Sequence, residues 1–326
     1  MDPTALDRRT AAYKPQLAIF AALATAWVFL IVTLGAFTTS INAGMAFPDW
    51  PLSNGSLNPK GWLGDLAMFA EHSHRLSAGV MTILTLILCL WLWRREARAW
   101  LRSLGLFAFI LVVSQALVGG LRVLLDSRQV AMIDTSLGRL FAMLHACLAQ
   151  LFVCSLIAIA ISLSRRWIDR PLRVGAGVRR IGRVCCALLF LQLGIAAVMR
   201  HSFAGLAIPF FPWSTASGGL LPAVWGFKVA IHFAHRAMAL VLGLAVAAFA
   251  LAIWREREAS VEMRAGASLL LGLFGLQILF GAYIIWSYRD PAITTGHVLV
   301  GALILATAFC LTWLAHRDAI EGRKQI

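Results

Sequence analysis

The chain has 326 residues, 60% hydrophobic and 13% charged, with a mean hydropathy of +0.80. A soluble domain carries about 45–50% apolar and about 25% charged residues, so an ordinary soluble enzyme is excluded and a protein that crosses a membrane many times is indicated. The net charge of +14 does not point to nucleic acid, because most Arg and Lys lie in short segments between apolar runs, as in cytoplasmic loops.

Crossing about 30 Å of hydrocarbon takes about 20 apolar residues. The tail Met1 to Lys14 is polar, and the first apolar run is too long for a cleavable signal, so none is expected. Eight runs qualify as spans: Leu17–Thr38, Met68–Trp93, Leu104–Val123, Leu140–Leu163, Ile181–Met199, Phe227–Trp254, Ala267–Trp286 and Thr294–Leu314. Basic residues collect in the N-terminal tail (Arg8, Arg9, Lys14), in Arg94–Arg102, Arg165–Arg180 and Arg255–Arg264, and from Arg317 to Lys324. These are the two termini and every even-to-odd connection, and all are expected to be cytoplasmic. The expected location is the cell's inner (plasma) membrane, with the other four connections facing outward.

Two stretches match at one offset. Ala43-Gly44-Met45-Ala46-Phe47-Pro48 with Pro51 corresponds to Ala204-Gly205-Leu206-Ala207-Ile208-Pro209 with Pro212, an offset of 161 (204 − 43) that also carries His74-Arg75 onto His235-Arg236. Gln115 and Gly119 match Gln277 and Gly281 at 162, and Gly35 resembles Gly194 at 159. A fixed offset across a loop and a helix means a duplicated unit. The fold class expected is an all-α membrane protein of eight helices in two pseudo-symmetric four-helix bundles. Residues 1–164 form an N-terminal half, 165–180 a cytoplasmic linker and 181–326 a C-terminal half. Each half has an even number of spans, so the two are related by an axis along the membrane normal.

The loop after the first span, Pro48-Asp49-Trp50-Pro51-Leu52-Ser53-Asn54-Gly55, is rich in residues that disfavour regular structure. Its counterpart, Pro209-Phe210-Phe211-Pro212-Trp213, is more apolar. Two readings stand for these aromatics: residence at the lipid interface or a lid. The six cysteines all fall within apolar runs without a CxxC spacing, which indicates small buried residues and neither a disulfide nor a metal site.

Four of the eight histidines occupy equivalent places: His74, His145, His235 and His297, in the second, fourth, sixth and eighth spans. All four spans run inward, and each histidine sits near its outer end, about 5–12 Å deep at 1.5 Å per residue. Polar side chains in a membrane face the bundle interior. Paired imidazoles from facing helices are a usual way to hold a haem iron. Two bis-histidine sites are therefore expected, His74 with His145 and His235 with His297. For the glycines nearby (Gly79, Gly119, Gly120, Gly281, Gly296 and Gly301) two readings stand, approach of a flat macrocycle and ordinary close helix packing. For Arg75 and Arg236 they are contact with haem propionates and snorkelling to headgroups.

Symmetry breaks at Glu71, three residues before His74 on the same helical face; the matching position holds His232. An intramembrane carboxylate marks a functional site by default, the bland alternative being a solvated charge among headgroups. The N-terminal site is therefore expected to perform a reaction, with Glu71 as its catalytic group, and the C-terminal site to serve it. His72 points about 200° away from His74 by helical periodicity. His201 is expected in an outer loop and His316 at the cytoplasmic end; no site is assigned to these three.

These residues resemble the haem A synthase family: Glu71-His72-Ser73-His74-Arg75, the pair His235-Arg236, single His145 and His297, and the loop string Gly44-Met45-Ala46-Phe47-Pro48-Asp49-Trp50-Pro51-Leu52 with Asn54-Gly55. The likeness covers nearly the whole chain. It implies an eight-span enzyme that oxidises a methyl group of haem O to a formyl group, giving haem A for terminal oxidase assembly. It further implies haem b on His235 and His297, and the substrate haem O on His74 and His145. Two features depart from the family: the first outer loop has no cysteine pair, and Gly35–Gly44 has no arginine. Membrane lipid, a haem O synthase that hands over haem O, and an electron donor or acceptor that the sequence does not name are the expected partners. Homo-oligomerisation is left open. The competing reading is a dihaem cytochrome taking electrons from quinol; it accounts for the histidines but not for Glu71 opposite His232. A repeat-built transporter fits less well, because no paired Pro or Gly interruption stands at mid-depth.

Overall fold

A computed structural model describes residues 11–130, 135–170, 172 and 174–322; Arg8, Arg9 and Lys324, named above for orientation, lie outside them. In chain order the elements are α1 (Pro15–Ser40), α2 (Leu66–Arg95), α3 (Ala99–Leu124), β1 (Gln129–Val130), β2 (Thr135–Ser136), α4 (Leu137–Ser162), α5 (Arg165–Asp169), α6 (Ala176–His201), α7 (Phe227–Arg255), α8 (Val261–Trp286), α9 (Pro291–Ala315) and α10 (Arg317–Glu321). β1 and β2 pair antiparallel. Among the described residues eight helices of 25–30 residues are long and apolar enough to cross a membrane. At about 1.5 Å per residue they exceed the hydrocarbon thickness, so their ends project beyond it.

Four of the spans, α2, α4, α8 and α9, start where a side chain caps the free amides. Asp65 accepts from Met68 N, Ser136 from Arg139 N and Ser260 from Met263 N. Asp290 accepts from Ala292 and Ile293 N ahead of Pro291. Such a cap is worth about 1 kcal/mol. Three spans begin earlier than expected: α3 at Ala99, not Leu104; α6 at Ala176, not Ile181; α8 at Val261, not Ala267. An apolar window stops where polar residues begin, but the backbone ladder continues into the polar turn. The segment 165–180 has helical structure of its own. It holds α5 and the first turn of α6.

α1 to α4 pack in a closed ring, and so do α6 to α9; across the seam α1 meets α9, and α4 meets both α6 and α9. α4 and α9 are the most enclosed spans. The packed cores sit toward the α2–α3 and α7–α8 connections. One contains Leu88, Leu92, Leu101, Leu156 and Ile159; the other contains Val246, Phe249, Ile253, Met263 and Leu311. At that end a polar knot ties the chain together. Glu96, with no exposed side-chain surface, pairs with Arg98 at 2.9 Å and Lys14 at 3.7 Å. Arg98 also reaches Glu321 at 3.0 Å, which accepts from Trp167 Nε1 at 2.7 Å.

Candidate functional site

The histidines of the repeat lie in one layer at the end opposite the packed cores. His74, His145 and His235 each follow the first residue of their helix by eight positions, and His297 follows Pro291 by six. α4 and α9 present theirs from the seam, α2 and α7 from the flanks. The ring centres of His235 and His297 are 6.4 Å apart. Two imidazoles holding one iron from opposite sides have centres about 6 Å apart, given a metal–nitrogen bond of about 2.0 Å, so this spacing fits a bis-histidine iron.

In the N-terminal half, His145 protonated at Nδ1 donates to Gln115 O at 3.1 Å. That leaves Nε2 with its lone pair, the arrangement that orients a ligating imidazole. Gln115 Nε2 donates back to His145 O at 2.7 Å. On α6, Gln192 Nε2 lies 3.0 Å from His235 O and 3.1 Å from His235 Nδ1. Among the described residues, Nδ1 of His74 and Nδ1 of His297 are buried without a hydrogen-bond partner, a costly state for a polar atom that a bound group would relieve.

Glycines set how closely these rings approach neighbouring helices. A Cβ on Gly35 would stand 2.8 Å from His74 Cε1, one on Gly119 3.0 Å from His145 Cε1, and one on Gly281 3.4 Å from His297 Cε1. Gly120, Gly296 and Gly301 instead receive Trp50, Phe280 and Gln277, and Gly79 faces open space.

The two arginines that follow the paired histidines hold the α1–α2 and α6–α7 loops. Arg75 donates to the carbonyls of Asp49 (2.8 Å), Leu52 (2.6 Å) and Phe47 (3.3 Å). Arg236 donates to those of Trp213 (3.1 Å) and Ile208 (3.0 Å). Phe47 and Leu52 correspond to Ile208 and Trp213 at the repeat offset, so one clamp was duplicated with the fold.

Glu71 and His232 occupy the same place in that clamp. Glu71 Oε1 accepts from Arg75 at 2.6 Å and Oε2 from the Phe47 amide at 3.1 Å. It is only 4% exposed, so it is not a solvated headgroup charge. His232 faces the Ile208 amide through Nδ1 and Arg236 Nε through Nε2, each at 3.2 Å. A neutral imidazole accepts through one nitrogen only; the carboxylate accepts both bonds. In the same loop Asp49 accepts from the amides of Asn54 and Gly55. Burial raises its pKa, but those amides and the charge of Arg75 outweigh it and leave the carboxyl below its ordinary 3.8.

His72 turns away from the layer. It bonds Ser53 Oγ at 3.0 Å and packs edge-on to Trp62. His316 caps α9. His201 is not in a loop: it is the last residue of α6, because the helix runs on until Phe203 takes a positive φ. The sequence reading passed over Gln192, Arg122 and Arg200. The guanidinium of Arg122 bonds Gly44 O, and that of Arg200 bonds Ala36 O and Ser40 Oγ. The stretch Gly35–Gly44, without an arginine of its own, thus receives two from other helices. Their signal was present: both stand in the last turn of their helix, at the end away from the basic connections.

The family model of the cytochrome oxidase assembly proteins, COX15-CtaA, matches residues 65–309. The heme A synthase of Staphylococcus carnosus (strain TM300) is 28% identical over 95% of this chain and 96% of its own length. That of Symbiobacterium thermophilum is 27% identical over 93% and 95%. That of Lysinibacillus sphaericus (strain C3-41) is 24% identical over 92% and 95%.

Proposed function

The chain belongs to the COX15-CtaA family of cytochrome oxidase assembly proteins, and from that premise we propose that it is a haem A synthase, converting a methyl group of haem O into the formyl group of haem A. The observation that carries this reading is the buried Glu71 beside one histidine pair where the other pair has His232. Relatives spanning over nine-tenths of the chain bear the name heme A synthase.

In this reading His235 and His297 hold haem b, and His74 and His145 hold the iron of haem O as substrate. Haem b, when bound, supplies one-electron iron chemistry. Converting methyl to formyl removes four electrons and brings in one oxygen, so an external electron partner and oxidant are required. Glu71 provides a negative charge beside the substrate and a place for a proton. Both of its oxygens already accept bonds, from Arg75 and from the Phe47 amide, which fixes the carboxyl group in place. Arg75 and Arg236 hold the two loops over the sites. The site layer faces outward, both termini are cytoplasmic, and haem O arrives from a haem O synthase.

The test is haem extraction and mass spectrometry from cells that make haem O, with and without this protein. Haem A, or its hydroxylated precursor, appears only with it. No new haem, together with a purified protein holding two low-spin haem b groups, would establish the quinol-linked cytochrome instead.

A further inference from the structure

Between the halves, at the level of the histidine layer, lies a cavity of about 150 Å³ whose lining includes Arg122, Arg139, Arg200, Arg289, His201 and Asp126. Four guanidinium groups face one carboxylate. Among the described residues none of the four arginines forms an ion pair. Arg122 and Arg200 are held by backbone carbonyls, and Arg139 lies over the Phe203 ring at 5.1 Å. Like charges gathered in a partly enclosed space repel strongly, and an anion relieves them.

This chamber is not part of the duplication. At the offsets that match Gln115 to Gln277, His145 to His297 and Gly44 to Gly205, the counterparts of Arg122, Arg139 and Arg200 are Ile284, Pro291 and Thr39. It also lies nearer one site. Arg122 is within electrostatic reach of both His74 and His145, His201 of His145, and Ala142 in the lining is one helical turn from His145; of the C-terminal pair, His297 is reached by Arg200.

We propose that this chamber is a dicarboxylate site that binds the propionate groups of the haem held at the N-terminal histidine pair, with the C-terminal half lending Arg200, His201 and Arg289 to it. The inference rests on reading that pair as the substrate site. A substrate haem must be captured and released at each turnover, and its two carboxylates are the part that an aqueous-facing basic chamber can grip; planar guanidinium forks suit carboxylates. A resident haem has no such need, which accounts for the missing counterpart in the other half.

The experiment uses the full-length protein with its C-terminal haem retained, in phosphatidylcholine nanodiscs. It is titrated with iron protoporphyrin IX and separately with the dimethyl ester, and the second low-spin Soret component is followed. The diacid is expected to bind on the order of tenfold or more tighter than the diester, as charge-assisted contacts require. R139Q combined with R289Q, which leaves the backbone-bonded arginines in place, is expected to bring that ratio close to one with diester affinity unchanged. Equal affinities in the unaltered protein, or equal weakening of both ligands in the variant, would overturn the proposal while leaving the N-terminal site standing. An unchanged ratio with loss of co-purified anionic phospholipid would overturn it in favour of a headgroup site. Failure of any second haem to become low-spin would remove the N-terminal site reading itself.

Discussion

Glu71 and His232 show how much one position can alter while its geometry is kept. Both latch a loop to the helix below, one through a carboxyl group and the other through an imidazole. Exchanging them separates the two roles of Glu71. Glu71→His should retain the loop latch and haem occupancy but abolish haem A formation, measured by chromatography of extracted haem; full conversion by that variant would reduce Glu71 to a latch. Glycines divide similarly. Gly119→Val puts new atoms onto the His145 ring, 3.0 Å from its Cβ, whereas a Cβ on Gly194 meets nothing within 4 Å. Gly119→Val should lose the N-terminal haem and keep the other, whereas Gly194→Ala should keep both, as read by haem-to-protein ratio in the purified protein. The histidine layer was legible in the sequence because the offset of 161 that carries His74 onto His235, and the helical depth that His145 and His297 share with them, needed no knowledge of packing. The latch was not, because its partners are the backbone amides of Phe47 and Ile208, which carry no residue-specific signal.

At the scale of elements, the number and order of the spans could be read from apolar length alone. Their starts could not, because α3, α6 and α8 run on into polar turns, with a side-chain cap only at Ser260 of α8. Asp290 and Asp65 hold the first turns of α9 and α2, the helices that present His297 and His74. Asp290→Ala should cost about 1 kcal/mol of stability and speed haem dissociation from the C-terminal pair first, followed by stopped-flow transfer to an apo-globin. Arg236 plays its part through carbonyls of the loop from Ile208 to Trp213. Arg236→Gln should therefore raise amide hydrogen exchange in that loop before it alters the haem spectrum.

Across the whole molecule, the rings of four helices meet along α4 and α9, each of which presents one histidine. The knot around Glu96 fastens the opposite end. There burial raises the carboxyl pKa, but Arg98 and Lys14 outweigh it and bring it below the ordinary 4.5. A depressed folded pKa contributes stability that is present above the unfolded value and is lost as pH falls through the folded one. The melting temperature of the detergent-solubilised protein should therefore drop as pH falls below about 4.5, and Glu96→Gln should remove part of that dependence. Opposite charges at 96 and 98 were visible in the sequence; their burial beneath Trp167 and Glu321, more than sixty residues away, required the fold.

The division of the bundle into a tightly packed end and a histidine-bearing end has an electrical consequence. A transmembrane voltage drops where the dielectric is low, so most of it falls across the solid aliphatic layer. Irons held at the histidine layer, as proposed, would then stand at nearly the potential of the solution on their own side. A charge moved across the full field is worth about 2.3 kcal/mol per 100 mV, but protons exchanged between the histidine layer and the adjacent water would cross little of it. In sealed vesicles, the midpoint potentials of both irons should stay put when a potassium diffusion potential is imposed, provided the mediator acts from the histidine side; delivered from the other side, the same electrons would register almost the whole voltage.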